Sequence, residues 1–269
     1  FSHNSWRGLP MRARPIKKVV KELKDLQENY GTEAVFFMDD DFLFSKTRVE
    51  EFYNLYKKEK LKIIWGCQAR VTSPGLNEET LRKLKEINCK QITFGFESGN
   101  QRILSMLKND TTTVEQNKKA IDLVRKAGIL VTGSFMFGSP TETEKEINDT
   151  KEFIIKNKLI GGVGITTPYP GTKLWKMCEE KGVIPKDIDW RKFNFHNLTF
   201  TLNSIKKERI EEIHKDFLNI ALKMNPGMTP KNIIRAALKH PKKAIFRIID
   251  NPKSIPTLLK RILNNKNEK

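Results

Sequence analysis

Five short apolar runs in this chain each end in residues that can do chemistry. Residues 35–38 run into three adjacent acids, Asp39, Asp40 and Asp41. The run KIIWG, residues 62–66, is followed by Cys67, Gln68, Ala69 and Arg70. Residues 91–95 lead into Phe96, Glu97, Ser98 and Gly99. A fourth run carries Ser134, Met136 and Phe137 and closes on Gly138, Ser139, Pro140, Thr141 and Glu142. The fifth, residues 160–165, gives way to Thr166, Thr167, Pro168, Tyr169, Pro170, Gly171 and Thr172. Carboxylates of this kind take an ammonium group or a cation, and an arginine takes a carboxylate. Glycines let a ligand approach the backbone closely. Three adjacent carboxylates repel one another, so they are tolerable at a strand end if they face an amine-bearing ligand or Arg70 from the next strand. Plainer roles exist for each residue. Asp40 or Asp41 could cap the helix that starts near Ser45, Glu97 could pair with Arg70 or Arg102, and Gly99 and Gly171 could serve only as turn residues.

The elements that position these clusters follow from periodicity. Apolar residues at helical spacing predict helices over 15–30, 46–58, 77–88, 100–107, 113–127, 142–157 and 171–181. Pro15 suits a helix start, Asn77 a cap, and Gly31 a helix end. Between them, residues 34–38, 62–66, 91–95, 129–135 and 160–165 read as strands. Strands alternating with helices imply βα units and a parallel sheet, with strands apolar on both faces. In such a sheet, functional residues gather at the C-terminal ends of the strands. All five clusters therefore converge on one rim. No Gly-x-Gly-x-x-Gly follows any strand, so the dinucleotide-binding form of the fold lacks support.

The domain reading is a barrel-like region over 1–184, an irregular aromatic connector over 185–203, and a helical, basic region over 204–269. Helices are expected at 204–224, 229–239, 241–249 and 253–264. Residues 204–269 hold 16 Lys or Arg against 6 Asp or Glu, within a net charge of +18 for the 269-residue chain. That balance favours anionic partners or simply a solvated surface. Basic amphipathic helices there suit peripheral contact with an acidic membrane, or packing on their own domain. Interleaved aromatics of the kind that grip nucleic acid are missing from this region. The three cysteines, Cys67, Cys89 and Cys178, are far apart and signal neither a disulfide framework nor a zinc site, which fits a reducing cytoplasm. No run has the length of a spanning helix, and no signal peptide is visible. The chain starts at Phe1 rather than Met, so a natural sequence upstream is expected. Magnesium-dependent phosphoryl transfer at the acids is disfavoured, because no phosphate-cradling glycine loop accompanies them.

Taken in chain order, the segments WRGLPMRARP, FFMDDDF, WGCQARV, NEETLRKLKEINCKQITFGFESGNQRILSMLKND, GSFMFGSPTETEKEINDT and TPYPGTKLWKMCEEKGVI resemble the radical S-adenosylmethionine (radical SAM) superfamily. The similarity is to the branch that carries a cobalamin-binding domain ahead of the barrel, and it runs from residue 5 to about residue 184. It implies an α/β fold, a partial (β/α)6 TIM-like barrel of parallel strands whose first strand is missing here. The loop after that strand holds a C-x3-C-x2-C triplet for a 4Fe-4S cluster in the family, and Phe1 falls just after it. The cluster cysteines are thus expected upstream, no metal ligand is assigned within the chain, and the chain alone is expected to be inert in radical chemistry.

By the same resemblance, Asp39 and Asp40 stand where many members keep Gly-Gly-Glu, which meets the SAM ammonium group. Glu97 and Ser98 match the ribose or methionyl contacts. Ser134, Gly138 and Pro140 match a segment along the adenine. Arg70 is the carboxylate or active-site charge partner, and Tyr169 and Thr172 line the substrate side, which makes Arg70, Glu97 and Tyr169 the catalytic candidates. Met136 and Phe137 read as packing. The implied activity is reductive cleavage of SAM to a 5′-deoxyadenosyl radical, serving cobalamin-dependent methyl transfer or a related C–H functionalisation. It calls for SAM, the cluster, cobalamin on an upstream domain, a small-molecule substrate and an electron donor such as flavodoxin or ferredoxin. One alternative is a methylthiotransferase acting on RNA or protein. Another, of a different class, is a non-catalytic basic module that docks on anionic membrane or nucleic acid.

Overall fold

A computed structural model describes residues 13–191, 193–196 and 201–224 of the chain. Its sheet has five parallel strands: β1 (Ala34–Phe37), β2 (Ile64–Ala69), β3 (Cys89–Glu97), β4 (Leu130–Phe137) and β5 (Ile160–Ile165). They are hydrogen-bonded side by side in the order of the sequence, and the sheet curls into a half-barrel. The helices are α1 (Ile16–Tyr30), α2 (Lys46–Lys58), α3 (Glu78–Glu86), α4 (Gln101–Lys108), α5 (Val114–Lys126), α6 (Glu144–Lys156), α7 (Lys173–Glu180) and α8 (Lys207–Met224). The expected α/β partial barrel is the observed one. The chain divides into two compact units, residues 1–217 and 218–269, and all five strands belong to the first. The helices expected at 229–239, 241–249 and 253–264 lie outside the described residues.

Local chemistry sets the helix starts. Ser45, Asn77, Asn100, Thr113, Thr143 and Thr172 each accept a hydrogen bond from a first-turn backbone N–H through the side chain. Thr113 and Thr143 complete capping boxes with Gln116 and Glu146. The cap of α2 is therefore Ser45, not Asp40 or Asp41.

The strands differ from the expected pattern. Instead of being apolar on both faces, β3 alternates, and β4 does so towards its C-terminal end. In β3, Ile92, Phe94 and Phe96 are buried, whereas Gln91, Thr93, Gly95 and Glu97 are partly open. Successive strands joined by right-handed crossovers place every helix on one side of the sheet. That side takes the apolar residues, and the opposite, concave side keeps the polar ones. The strands also reach further into their polar ends than expected. β2 shifts to Ile64–Ala69, β3 extends to Glu97 and β4 to Phe137. Side chains such as Gln68 and Glu97 face the open side, so their polarity does not interrupt backbone pairing.

Aromatic packing holds the covered face. Trp65 of β2 sits edge-on to Phe37 at 5.7 Å and to Phe52 at 5.3 Å, and its indole N–H donates to the Ile87 carbonyl at 2.6 Å. Further along, Phe96 packs near Phe94, Phe135 and Phe153, which binds α6 to the middle of the sheet. Phe137 meets Phe217 of α8 at 5.1 Å. Cys67 and Cys89 are buried, free and close to each other on β2 and β3. Hydrogen bonding between them, then burial, pushes the Cys67 thiol up, and burial does the same to Cys178.

The loop after β3 is tied to α6. Ser98 is fully buried, its hydroxyl 3.0 Å from that of Thr150, and Thr150 also accepts the Gly99 N–H. Asn100 donates to Asp149. A Cβ on Gly99 would lie 2.5 Å from Phe153 Cβ and 2.9 Å from the Asp149 carbonyl. Gly99→Ala is therefore expected to lower stability by about 1–3 kcal/mol through overpacking. Urea denaturation checks this: an unchanged midpoint would show that α6 yields instead.

Candidate active site

The open face is built from one polar stripe. Gln91 donates to Thr93 and Thr132, whose hydroxyls are 2.7 Å apart, and these three side chains floor the middle of the concave surface. Ser134 pairs in register with Gly95 on one side and Gly162 on the other, and it is exposed. Among the described residues nothing lies within 4 Å of where a Cβ on Gly162 would be, so they leave the surface over Ser134 open.

Glu97 stands at the rim of this surface. Its φ is +62°, an unusual value for a residue with a Cβ. The Ser98 N–H donates to the Phe96 carbonyl at 2.8 Å, which makes Glu97 the centre of a γ-turn of positive φ, the rare and strained hand. The turn brings the carboxylate back over Gly95, where a Cβ would sit 2.6 Å from Glu97 Oε1. Lys108, at the end of α4, pairs with that oxygen at 2.9 Å. Gly95 is thus required by a carboxylate of the protein itself. That carboxylate, 19% exposed, retains acceptor capacity beyond the one lysine.

The loop after β4 forms the other rim. Gly138, at φ +80°, and Thr141, at φ +62°, both take left-handed conformations. Three groups impose this shape. Buried Glu142 accepts the Ser139 N–H at 2.8 Å, Arg102 of α4 donates to the Thr141 carbonyl at 3.0 Å, and Asn203 donates to the Ser139 carbonyl at 3.3 Å. The Ser139 hydroxyl meets that of Thr166 at the end of β5. Arg102 also grips Glu146 with two nitrogens, at 2.6 and 2.7 Å, and this pairing holds the Glu146 carboxyl well below its usual range. Gly138 and Pro140 are buried within this loop.

The structure thus brings Glu97, Ser134 and the 138–140 loop to one rim. Asp39 and Asp40 are exposed just past the end of β1. Asp41 is occupied instead, because Oδ1 accepts the Leu43 N–H and the Ser73 hydroxyl. Arg70 is exposed, and among the described residues its guanidinium forms no ion pair with the acids or with Glu97, whose partner is Lys108. Ser98 departs from its expected place as a ligand contact, because its hydroxyl is buried between Thr150 and the Asn100 N–H. Tyr169 lies beyond β5, 45% exposed, with its ring edge-on to Phe193 at 5.9 Å. Glu142 and Thr166 were read only as members of their strand-end clusters, with no role of their own, and Lys108 was not singled out from sequence.

Residues 1–154 match the model of the radical SAM superfamily. The chain belongs to that superfamily. An uncharacterized methyltransferase of Pyrococcus horikoshii is 30% identical over 235 residues, covering 87% of this chain and 49% of the relative. The anaerobic magnesium-protoporphyrin IX monomethyl ester cyclase of Rubrivivax gelatinosus is 28% identical over 71% of this chain and 33% of its own length. The chain thus spans half or less of these relatives. Among solved structures, the radical SAM methyltransferase TsrM of Kitasatospora setae, with cobalamin and a 4Fe-4S cluster bound, superposes with a TM-score of 0.54 at 18% identity. It covers 69% of this chain and 38% of that one, a likeness of fold.

Radical SAM proteins use S-adenosylmethionine and a 4Fe-4S cluster. The residues here fit the first of these. Exposed acids lie at the end of β1, the Glu97 carboxylate is on the concave side, and the surface over Ser134 and Gly162 is open. They do not fit the second. Among the described residues no group of three or more His, Cys, Asp or Glu is placed to hold a metal, and all three cysteines are buried.

The rim loop carries a pH signature. Burial pushes the Glu142 carboxyl up to about 7, against the pull of the Ser139 and Gly138 amides, with Glu146 and Arg102 as the nearby charges. The folded state therefore keeps a proton that the unfolded chain gives up from about pH 4.5, so this group's contribution to stability is lost as pH rises towards 7. Relative to Glu142→Gln, the native protein is expected to lose roughly 3 kcal/mol between pH 5 and pH 8. Denaturation of both proteins at the two pH values checks this, and a constant difference would refute it.

Proposed function

We propose that this chain is the SAM-binding half-barrel of a radical SAM enzyme that transfers a methyl group, or carries out a related C–H functionalisation, with cobalamin held elsewhere in the protein. The observation that carries the reading is the Glu97 carboxylate turned over Gly95 at the rim of the open polar face. Superfamily membership and the methyltransferase names of its relatives support it. When bound and reduced at a cluster, SAM supplies a 5′-deoxyadenosyl radical for hydrogen abstraction.

In this reading the chain's own residues bind and orient. Asp39, Asp40 and Glu97 take the ammonium and ribose groups, Lys108 holds the Glu97 carboxylate in place, and Ser134 with the 138–140 loop borders the adenine. Arg70, which forms no ion pair among the described residues, is available to a carboxylate, and Tyr169 borders the substrate. In this reading the cluster ligands come from outside the described residues. Relatives acting on protoporphyrin and bacteriochlorophyllide make a tetrapyrrole one substrate class within the reading. A small-molecule substrate and a reductant are requirements of the superfamily. A flavodoxin or ferredoxin donor, a cytoplasmic setting and peripheral membrane contact through 204–269 belong to the proposal. Among the described residues no helix is long and apolar enough to cross a membrane.

Glu97→Gln tests the reading in the longer natural protein, reconstituted anaerobically. Removing a charge-assisted contact should weaken SAM binding by about tenfold or more, with formation of 5′-deoxyadenosine falling in step. Equilibrium dialysis with labelled SAM reads the affinity. Native affinity in the variant would remove Glu97 from the site.

A further inference from the structure

The strained turn at Glu97 needs something to hold it, and the structure supplies a residue with little other reason to be polar. Asn117 lies on α5, fully buried, on the helix face that otherwise presents Ala120, Ile121 and Val124 to the interior. An apolar residue would be the ordinary occupant of such a position. Its Nδ2 donates to the Phe96 carbonyl at 3.2 Å, the same oxygen that accepts the Ser98 N–H to close the γ-turn. Its Oδ1, also buried, has no hydrogen-bond partner among the described residues. An amide that leaves half its capacity unmet in the core is costly, and its one bond is to the carbonyl on which the turn pivots.

The location is equally specific. The β3–β4 register shifts between Gly95 and Glu97, so regular pairing does not fix the chain there. A positive-φ residue persists only where its surroundings over-determine it. From the other side Lys108 pairs with the Glu97 carboxylate. The backbone clamp from α5 and the ion pair from α4 together leave the carboxylate one direction.

We propose that Asn117 is a positioning residue for Glu97: its side-chain amide pins the Phe96 carbonyl, fixes the γ-turn, and so aims the Glu97 carboxylate at the open face where SAM binds. This rests on the reading that Glu97 contacts SAM. Asn117 does not itself touch the ligand.

The experiment is a double-mutant cycle in the longer natural protein, with SAM affinity measured by equilibrium dialysis. Asn117→Leu keeps the branching and heavy-atom count and removes the donor. Paired with native Glu97 it should weaken SAM binding by about fivefold to tenfold, and speed hydrogen exchange of the Ser98 amide. Paired with Glu97→Gly, which removes the carboxylate and relieves the turn, the same substitution should change affinity less than about twofold. Equal losses in both backgrounds would mean that Asn117 acts only through the fold, and would overturn the proposal. Native affinity in Asn117→Leu alone would overturn it too, while leaving Glu97 in place. If Glu97→Gly by itself leaves binding intact, the reading of Glu97 fails first and the proposal falls with it. Asn117→Ala gives the same readout should the leucine not be accommodated.

Discussion

A parallel sheet whose strands follow one another in chain order sends every crossover helix to the same side. Most of this structure descends from that constraint. One face of the sheet is committed to aromatic and aliphatic packing, Trp65, Phe94, Phe96, Phe135 and Phe137 among it. The crossover helices leave the other face uncovered, and it curls inward and stays polar. The C-terminal strand ends then share a rim, and residues distant in sequence, such as Glu97 and Ser134, come to border one surface. Helices of the covered side reach around to that rim: Lys108 and Arg102 from α4, and Glu142 from the turn before α6.

Much of this was legible in the residues. The alternation of strand and helix predicted the parallel sheet, and every strand found was expected, within a few residues. The errors share one origin. Polar residues such as Gln68 and Glu97 read as loop because a parallel strand is ordinarily buried on both faces. Here the inward face is solvated, so the strands run on through them.

The site was legible in part. Convergence of the strand ends followed from fold class alone, and the FGFESG and GSPTE segments carried the family resemblance. The division of labour within FGFESG did not show. Its glutamate faces the open side, whereas its serine and second glycine serve the docking of α6, through Thr150 and Phe153. Adjacent letters point to opposite sides of a turn that only backbone conformation reveals. The partner of Glu97 was also misplaced. Arg70 and Arg102 were the candidates, but Arg102 is taken by Glu146 and Thr141, and Lys108 has the right reach.

The buried thiols bear on how a protein of this superfamily acquires iron. A cysteine captures iron or sulfide as a thiolate, and the thiolate fraction depends on pKa and access. The neighbouring Cys89 and then burial push the Cys67 thiol up, and burial does the same to Cys178. Buried and with their thiols pushed up, both are poor ligands for iron.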